Sequence, residues 1–109
     1  MTTQKDLLGI IKTWFDQTGG GGLILPDGWF GRPYDNKHIL TYLEARPHKV
    51  LLELDDLLLL IFTELRTARI EGSLLILTDF VQCVFDWQEY GSLEPHTTVY
   101  QEGTVKFIP

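Results

Sequence analysis

Apolar residues at Leu7, Leu8, Ile11, Trp14 and Phe15 recur at helical spacing, with Lys5, Asp6, Lys12, Thr13 and Asp16 on the opposite side. The pattern predicts a helix over residues 4–17, with Thr3 as N-cap and Asp6 three positions on as an approximate capping box. Gly19 to Gly22 end it. Four successive glycines suggest a phosphate loop, but these follow a helix, and neither a Lys-Ser/Thr pair nor a second helix comes after them. A hinge or C-cap is the expectation.

From Leu23 onward the period shortens to two. Residues 23–25 and 39–44 read as short strands, and 49–54 places Val50, Leu52 and Leu54 on one face. Asp55-Asp56 marks a hairpin turn. Residues 57–63, apolar at almost every position, predict a central strand covered on both sides. Strands at 67–71 and 74–77 flank Gly72-Ser73. Residues 80–87 set Val81, Cys83, Phe85 and Trp87 against Phe80, Gln82, Val84 and Asp86, and 97–100 with 104–108 bracket a turn at Gln101-Glu102-Gly103. One alternative stays open: Asp55-Asp56 capping a helix over 57–70, with Arg66 and Arg69 near its end and Gly72 as its stop. The spacing of turn signals from Pro47 through Gly72 to Gly103 favours strands. The expected fold is α+β: an N-terminal helix packed on a bent, mostly antiparallel sheet of about six or seven short strands, with barrel-like closure as a variant.

Composition narrows the class. The 109 residues, 44% hydrophobic and 22% charged, suit one globular domain: helix 4–17, glycine-rich connection 19–22 and β-rich body 23–109. A net charge of −6, spread along the chain, opposes nucleic acid and anionic membrane surfaces as partners. No apolar run is long enough for a membrane span and no signal peptide is visible. A lone Cys83 cannot form an internal disulfide. These features predict a cytoplasmic protein.

Side-chain chemistry concentrates in two aromatic-rich loops, 26–38 and 87–96. In the first, Leu25-Pro26-Asp27-Gly28 is a turn signal, Arg32-Pro33 holds Arg32 extended, and Asp35-Asn36 starts a second turn. Trp29, Phe30 and Tyr34 lie among them, and His38 closes the segment. The second loop supplies Trp87, Glu89, Tyr90 and His96. Rings gain most when buried, so these loops either plug one end of the core or line a groove. Arg32 reads as a tie to Asp35 or Asp86 before an anion site. Asp27 with Asp35, or Asp86 with Glu89, would form a hydrolytic carboxylate pair only if the loops converge. His38, His48 and His96 share no metal-ligand spacing, and no cofactor motif is present. Cys83 reads as a small core residue.

The sequence therefore predicts a non-catalytic binding domain rather than an enzyme. It would engage a protein partner, or a second copy of itself as a homodimer, through Asp27, Trp29, Phe30, Arg32, Tyr34, Asp35, Asn36, His38, Trp87, Glu89, Tyr90 and His96. A small-molecule pocket or hydrolytic site using Asp27, Arg32, Asp35 and His38 is the alternative.

Overall fold

The structure is a computed structural model and describes residues 4–30, 37–88 and 95–109. Its N-terminal element, α1 (Gln4–Thr18), buries Leu7, Ile11, Trp14 and Phe15, the apolar stripe of the sequence pattern. Thr3, the expected cap, lies outside the described residues. At the C-terminus the Thr18 hydroxyl donates to the Trp14 carbonyl (2.8 Å). The Gly19 N–H donates to the Phe15 carbonyl at 2.8 Å from a left-handed φ of 74°, as a helix-ending glycine does.

The glycines that follow are not a hinge. A Cβ on Gly21 would lie 2.2 Å from the Ile108 carbonyl oxygen and 2.8 Å from the Trp14 ring. Gly20, Gly21 and Gly22 are all buried. The run is glycine because backbone approaches backbone there.

Ten strands follow: β1 (Gly22–Leu25), β2 (Gly28–Trp29), β3 (Leu40–Arg46), β4 (Lys49–Leu54), β5 (Leu58–Thr63), β6 (Thr67–Glu71), β7 (Leu74–Thr78), β8 (Gln82–Gln88), β9 (Pro95–Tyr100) and β10 (Thr104–Ile108). They form two antiparallel sheets, β3-β4-β5-β8-β9 and β2-β1-β10-β7-β6. The α+β class and antiparallel pairing match the sequence reading. Three expectations need correction. The strands exceed six or seven, they form two sheets rather than one bent sheet, and among the described residues no ladder joins the sheets into a barrel.

The sheets share one core. Val50, Leu52, Leu54, Leu58, Leu60, Phe62, Cys83 and Phe85 from the first meet Leu23, Leu25, Leu75, Leu77, Val105 and Phe107 from the second. α1 packs along β3 and β6, closing the side of the sandwich that these two edge strands border. Its Trp14 Nε1–H donates to the Ser73 carbonyl in the β6–β7 turn (2.9 Å), and the Trp14, Phe15 and Phe107 rings pack within 6 Å of one another.

Residues 57–70 are β5, a corner and β6, not a helix. Leu57 belongs to the turn and is exposed. β5 is the central strand of its sheet, but only Leu58, Leu60 and Phe62 are fully buried; Leu59, Ile61 and Thr63 are half-buried on a face that no described element covers. Corners at Glu64 (φ 54°) and Asp79 (φ 59°) carry the chain between sheets. They are tied by Arg66 N–H to the Asp79 carbonyl and Val81 N–H to the Thr63 carbonyl, both 3.0 Å. The corner reverses the expected burial beside it: Phe80 is inside and Val81 is exposed.

Candidate functional site

The segment leading into β3 is fixed by one carboxylate. Asp55 sits in the β4–β5 turn with φ 56°, beside Asp56 at 58°, a left-handed conformation that Asp tolerates better than most residues. The turn aims the Asp55 side chain back at the loop. Oδ2 meets His38 Nδ1 at 2.6 Å, Oδ1 accepts the Ile39 N–H at 2.9 Å, and the Asp55 N–H donates to the Ile39 carbonyl at 2.9 Å. His38 is also bridged to Gly21, each N–H donating to the other's carbonyl. Sequence reasoning treated Asp55 as a turn former and His38 as a loop residue; their 17-residue separation hid the pair.

His38 is buried, and its Nε2 has no hydrogen-bond partner among the described residues. The His38 ring borders an aromatic cluster: His38 to Phe30 at 5.8 Å, Phe30 to Trp87 at 5.2 Å, Phe30 to Phe85 at 5.0 Å, and Trp87 stacked on His96 at 4.5 Å. The two aromatic loops therefore meet through Phe30, His38, Trp87 and His96. Trp29 stands apart on β2, 44% exposed. Asp27 accepts from the Tyr100 hydroxyl (2.9 Å), which ties the β1–β2 turn to β9. Burial, and then this bond to a carboxylate, push the Tyr100 phenol well above its ordinary range. Asp86 accepts from the Thr97 hydroxyl. Arg32, Tyr34, Asp35, Asn36, Glu89 and Tyr90 lie outside the described residues.

A concavity lies elsewhere. A groove of about 610 Å³ runs between α1 and β3, with Leu8, Gly9, Lys12 and Phe15 on one wall and residues 39–43 on the other. Alternate strand residues point to opposite faces, so five consecutive lining residues mean that the groove follows the strand's edge. Among the described residues that edge is unpaired, since β3 ends its sheet. A bulge between Leu40 and Tyr42 turns Thr41 outward, where its hydroxyl bonds the Glu53 carbonyl and accepts the Asp56 N–H. Further along β3 the Tyr42 phenol is raised by the neighbouring Glu44 carboxylate, which Arg46 and Tyr42 hold below its usual range.

The sequence carried one signal for this groove, the mid-helix Gly9. A glycine there costs roughly 1 kcal/mol relative to alanine and so calls for a reason. A Cβ at Gly9 would meet nothing within 4 Å; it looks onto open space at the groove wall. Among the described residues no three His, Cys, Asp or Glu side chains converge as a metal set, and no helix is long and apolar enough to cross a membrane. Comparison of the chain with protein-family models, with curated proteins and with solved structures finds no match.

Proposed function

We propose that this protein is a non-catalytic interaction domain that takes an extended segment of a partner protein as an added strand on β3. The observation that carries the reading is the groove lined by residues 39–43 of an unpaired edge strand, with α1 as its opposite wall. A strand laid there would satisfy the free N–H and C=O groups of β3, and its alternate side chains would enter the apolar trough of Leu8 and Phe15. Lys12 and Asp16 at the rim would read charge on the incoming segment. In this reading the His38–Asp55 pair and the rings around Phe30 are the frame that holds Ile39, 56% exposed, at the groove's end. A second contact would use the aromatic segments around Phe30 and Trp87, with Trp29, 44% exposed, as its outward ring.

Panning a random peptide library on the protein tests the proposal, with Gly9→Phe as the blocked control. Because a Cβ at Gly9 meets nothing within 4 Å, the substitution adds a ring at the groove wall without displacing the core. Peptides with alternating apolar residues should bind wild type, slow amide exchange in residues 40–46, and fail on Gly9→Phe. Peptides that bind both proteins equally, or that protect β9 instead, would refute the groove as the site.

A further inference from the structure

The outer face of the β3-β4-β5-β8-β9 sheet carries an ordered pattern of charge. The strand registers resolve it into three rows that run across the strands. The middle row is Glu44, Leu51, Ile61, Val84 and Val99. On one side lies Tyr42, Glu53, Leu59, Asp86 and Thr97; on the other, Arg46, Lys49, Thr63 and Gln82. An apolar stripe thus separates an acidic row from a basic one, and no described element packs over it.

We infer that two copies pair through this face, related by a two-fold axis along the middle row. Such an axis lies in the interface and reverses the strand direction, so each flanking row falls on the opposite row of the other copy. The stripe then meets itself, Glu44 lying opposite the partner's Glu44 with each carboxylate paired to the Arg46 of its own chain at 3.2 Å. Glu53 faces the partner's Lys49, and Tyr42 faces the partner's Arg46. An axis along the strands instead would set Glu44 against the partner's Val99 and leave like rows opposed. Within one chain Lys49 and Glu53 are four strand residues apart, roughly 13 Å, too far to pair. Among the described residues Lys49 makes no ion pair, and the Glu53 carboxylate accepts only the Thr41 hydroxyl. The face also escapes the repulsion that a chain charge of −6 implies. Its three carboxylates and two cations leave it near neutral. Five strands about 4.8 Å apart and six residues of about 3.4 Å give a flat area of roughly 480 Å² per copy. The pair would bury about 1,000 Å² in total, the lower bound of specific interfaces, so the dimer is a weak micromolar one.

Sedimentation equilibrium over a low-to-high micromolar series tests this. Wild type should move from 12.5 kDa towards twice that mass. Glu53→Lys and Lys49→Glu should each weaken the dimer at least tenfold, because each sets two pairs of like charges across the axis. Mixed together they should recover it as a heterodimer, since every Lys then meets a Glu. Val99→Lys, on a half-exposed edge residue that does not threaten the fold, should also dissociate the dimer. A wild type monomeric throughout would overturn the inference. So would a dimer indifferent to all three substitutions, or one that Gly9→Phe alone abolishes, which would place the contact in the α1–β3 groove.

Discussion

Asp55 and Asp56 share a turn, a charge and a left-handed backbone, which makes them a matched pair for separating backbone strain from side-chain contact. Glycine at either position relieves the left-handed conformation, about 1 kcal/mol, and adds unfolded-chain entropy of about 0.5–1 kcal/mol in opposition. These contributions nearly cancel at both sites. What differs is the carboxylate. Asp56 is exposed, and only its backbone N–H is engaged, by Thr41. Asp55 holds His38 Nδ1 at 2.6 Å and the Ile39 N–H at 2.9 Å. Hydrogen bonds to a charged group contribute about 1.5–3 kcal/mol each, and the 31% exposure of the Asp55 side chain argues for the lower part of that range. Asp55→Gly should therefore destabilise the domain by roughly 2–4 kcal/mol, and Asp56→Gly by no more than about 1 kcal/mol. Urea unfolding followed by tryptophan fluorescence reads the difference: with an m-value of about 1–1.5 kcal/mol/M the midpoints should separate by about 2 M. A double-mutant cycle of Asp55→Gly with His38→Ala should return a coupling of about 0.5–3 kcal/mol. Superimposable curves for the two glycine variants would refute the claim that the Asp55 carboxylate anchors the entry to β3.

Other consequences follow from single contacts. Gly9→Ala should raise stability by about 0.5–1 kcal/mol, because the Cβ meets nothing and the helix gains propensity; a lower melting temperature would contradict this. Gly21→Ala should give little folded protein by circular dichroism, since its Cβ collides with the Ile108 carbonyl; a native-like spectrum and melt would mean that the β1–β10 ladder yields there. Trp14→Phe should cost about 1.5–3 kcal/mol through the lost bond to Ser73 and the void beside Phe107, read by thermal unfolding. Burial pushes the Cys83 thiol from 9.0 up to about 12, so the unfolded chain releases this proton first. Stability should hold below pH 9 and fall above it, by up to about 1.4 kcal/mol per pH unit, with a shallower fall in Cys83→Ala; identical pH slopes would refute the assignment.

Periodicity made α1 legible, as well as the inward faces of β4, β8 and β10, because each alternates cleanly between core and solvent. It did not separate one bent sheet from two. That distinction rests on the corners at Glu64 and Asp79, acidic residues with positive φ in place of the usual glycine. The same corners misled the phase around Phe80, which turns inward where the chain changes sheets. The contact of the aromatic segments through Phe30 and Trp87 was not legible, since it joins residues nearly sixty positions apart. The groove was hidden for a different reason. Its wall is a strand edge, and an edge is defined by which strands are absent, something that pattern within one strand cannot show.

That edge gives the strongest general argument for a binding role. A two-sheet sandwich has four edge strands, here β2, β6, β3 and β9, each a template for unwanted pairing unless it is blunted. β2 is two residues long. β6 is flanked by α1, whose Trp14 is bonded to the adjoining turn. β9 opens with Pro95, which has no N–H to donate, and its Tyr100 is tied to Asp27 of the other sheet. β3 is seven residues long, the longest of the four. α1 crosses beside it but leaves a trough rather than a cover, with the glycine at position 9 on its wall at a cost in helix propensity. A larger residue at position 9 would strengthen the helix and add bulk to that wall. The chain carries neither benefit, as expected if the edge of β3 is held open for a strand supplied from elsewhere.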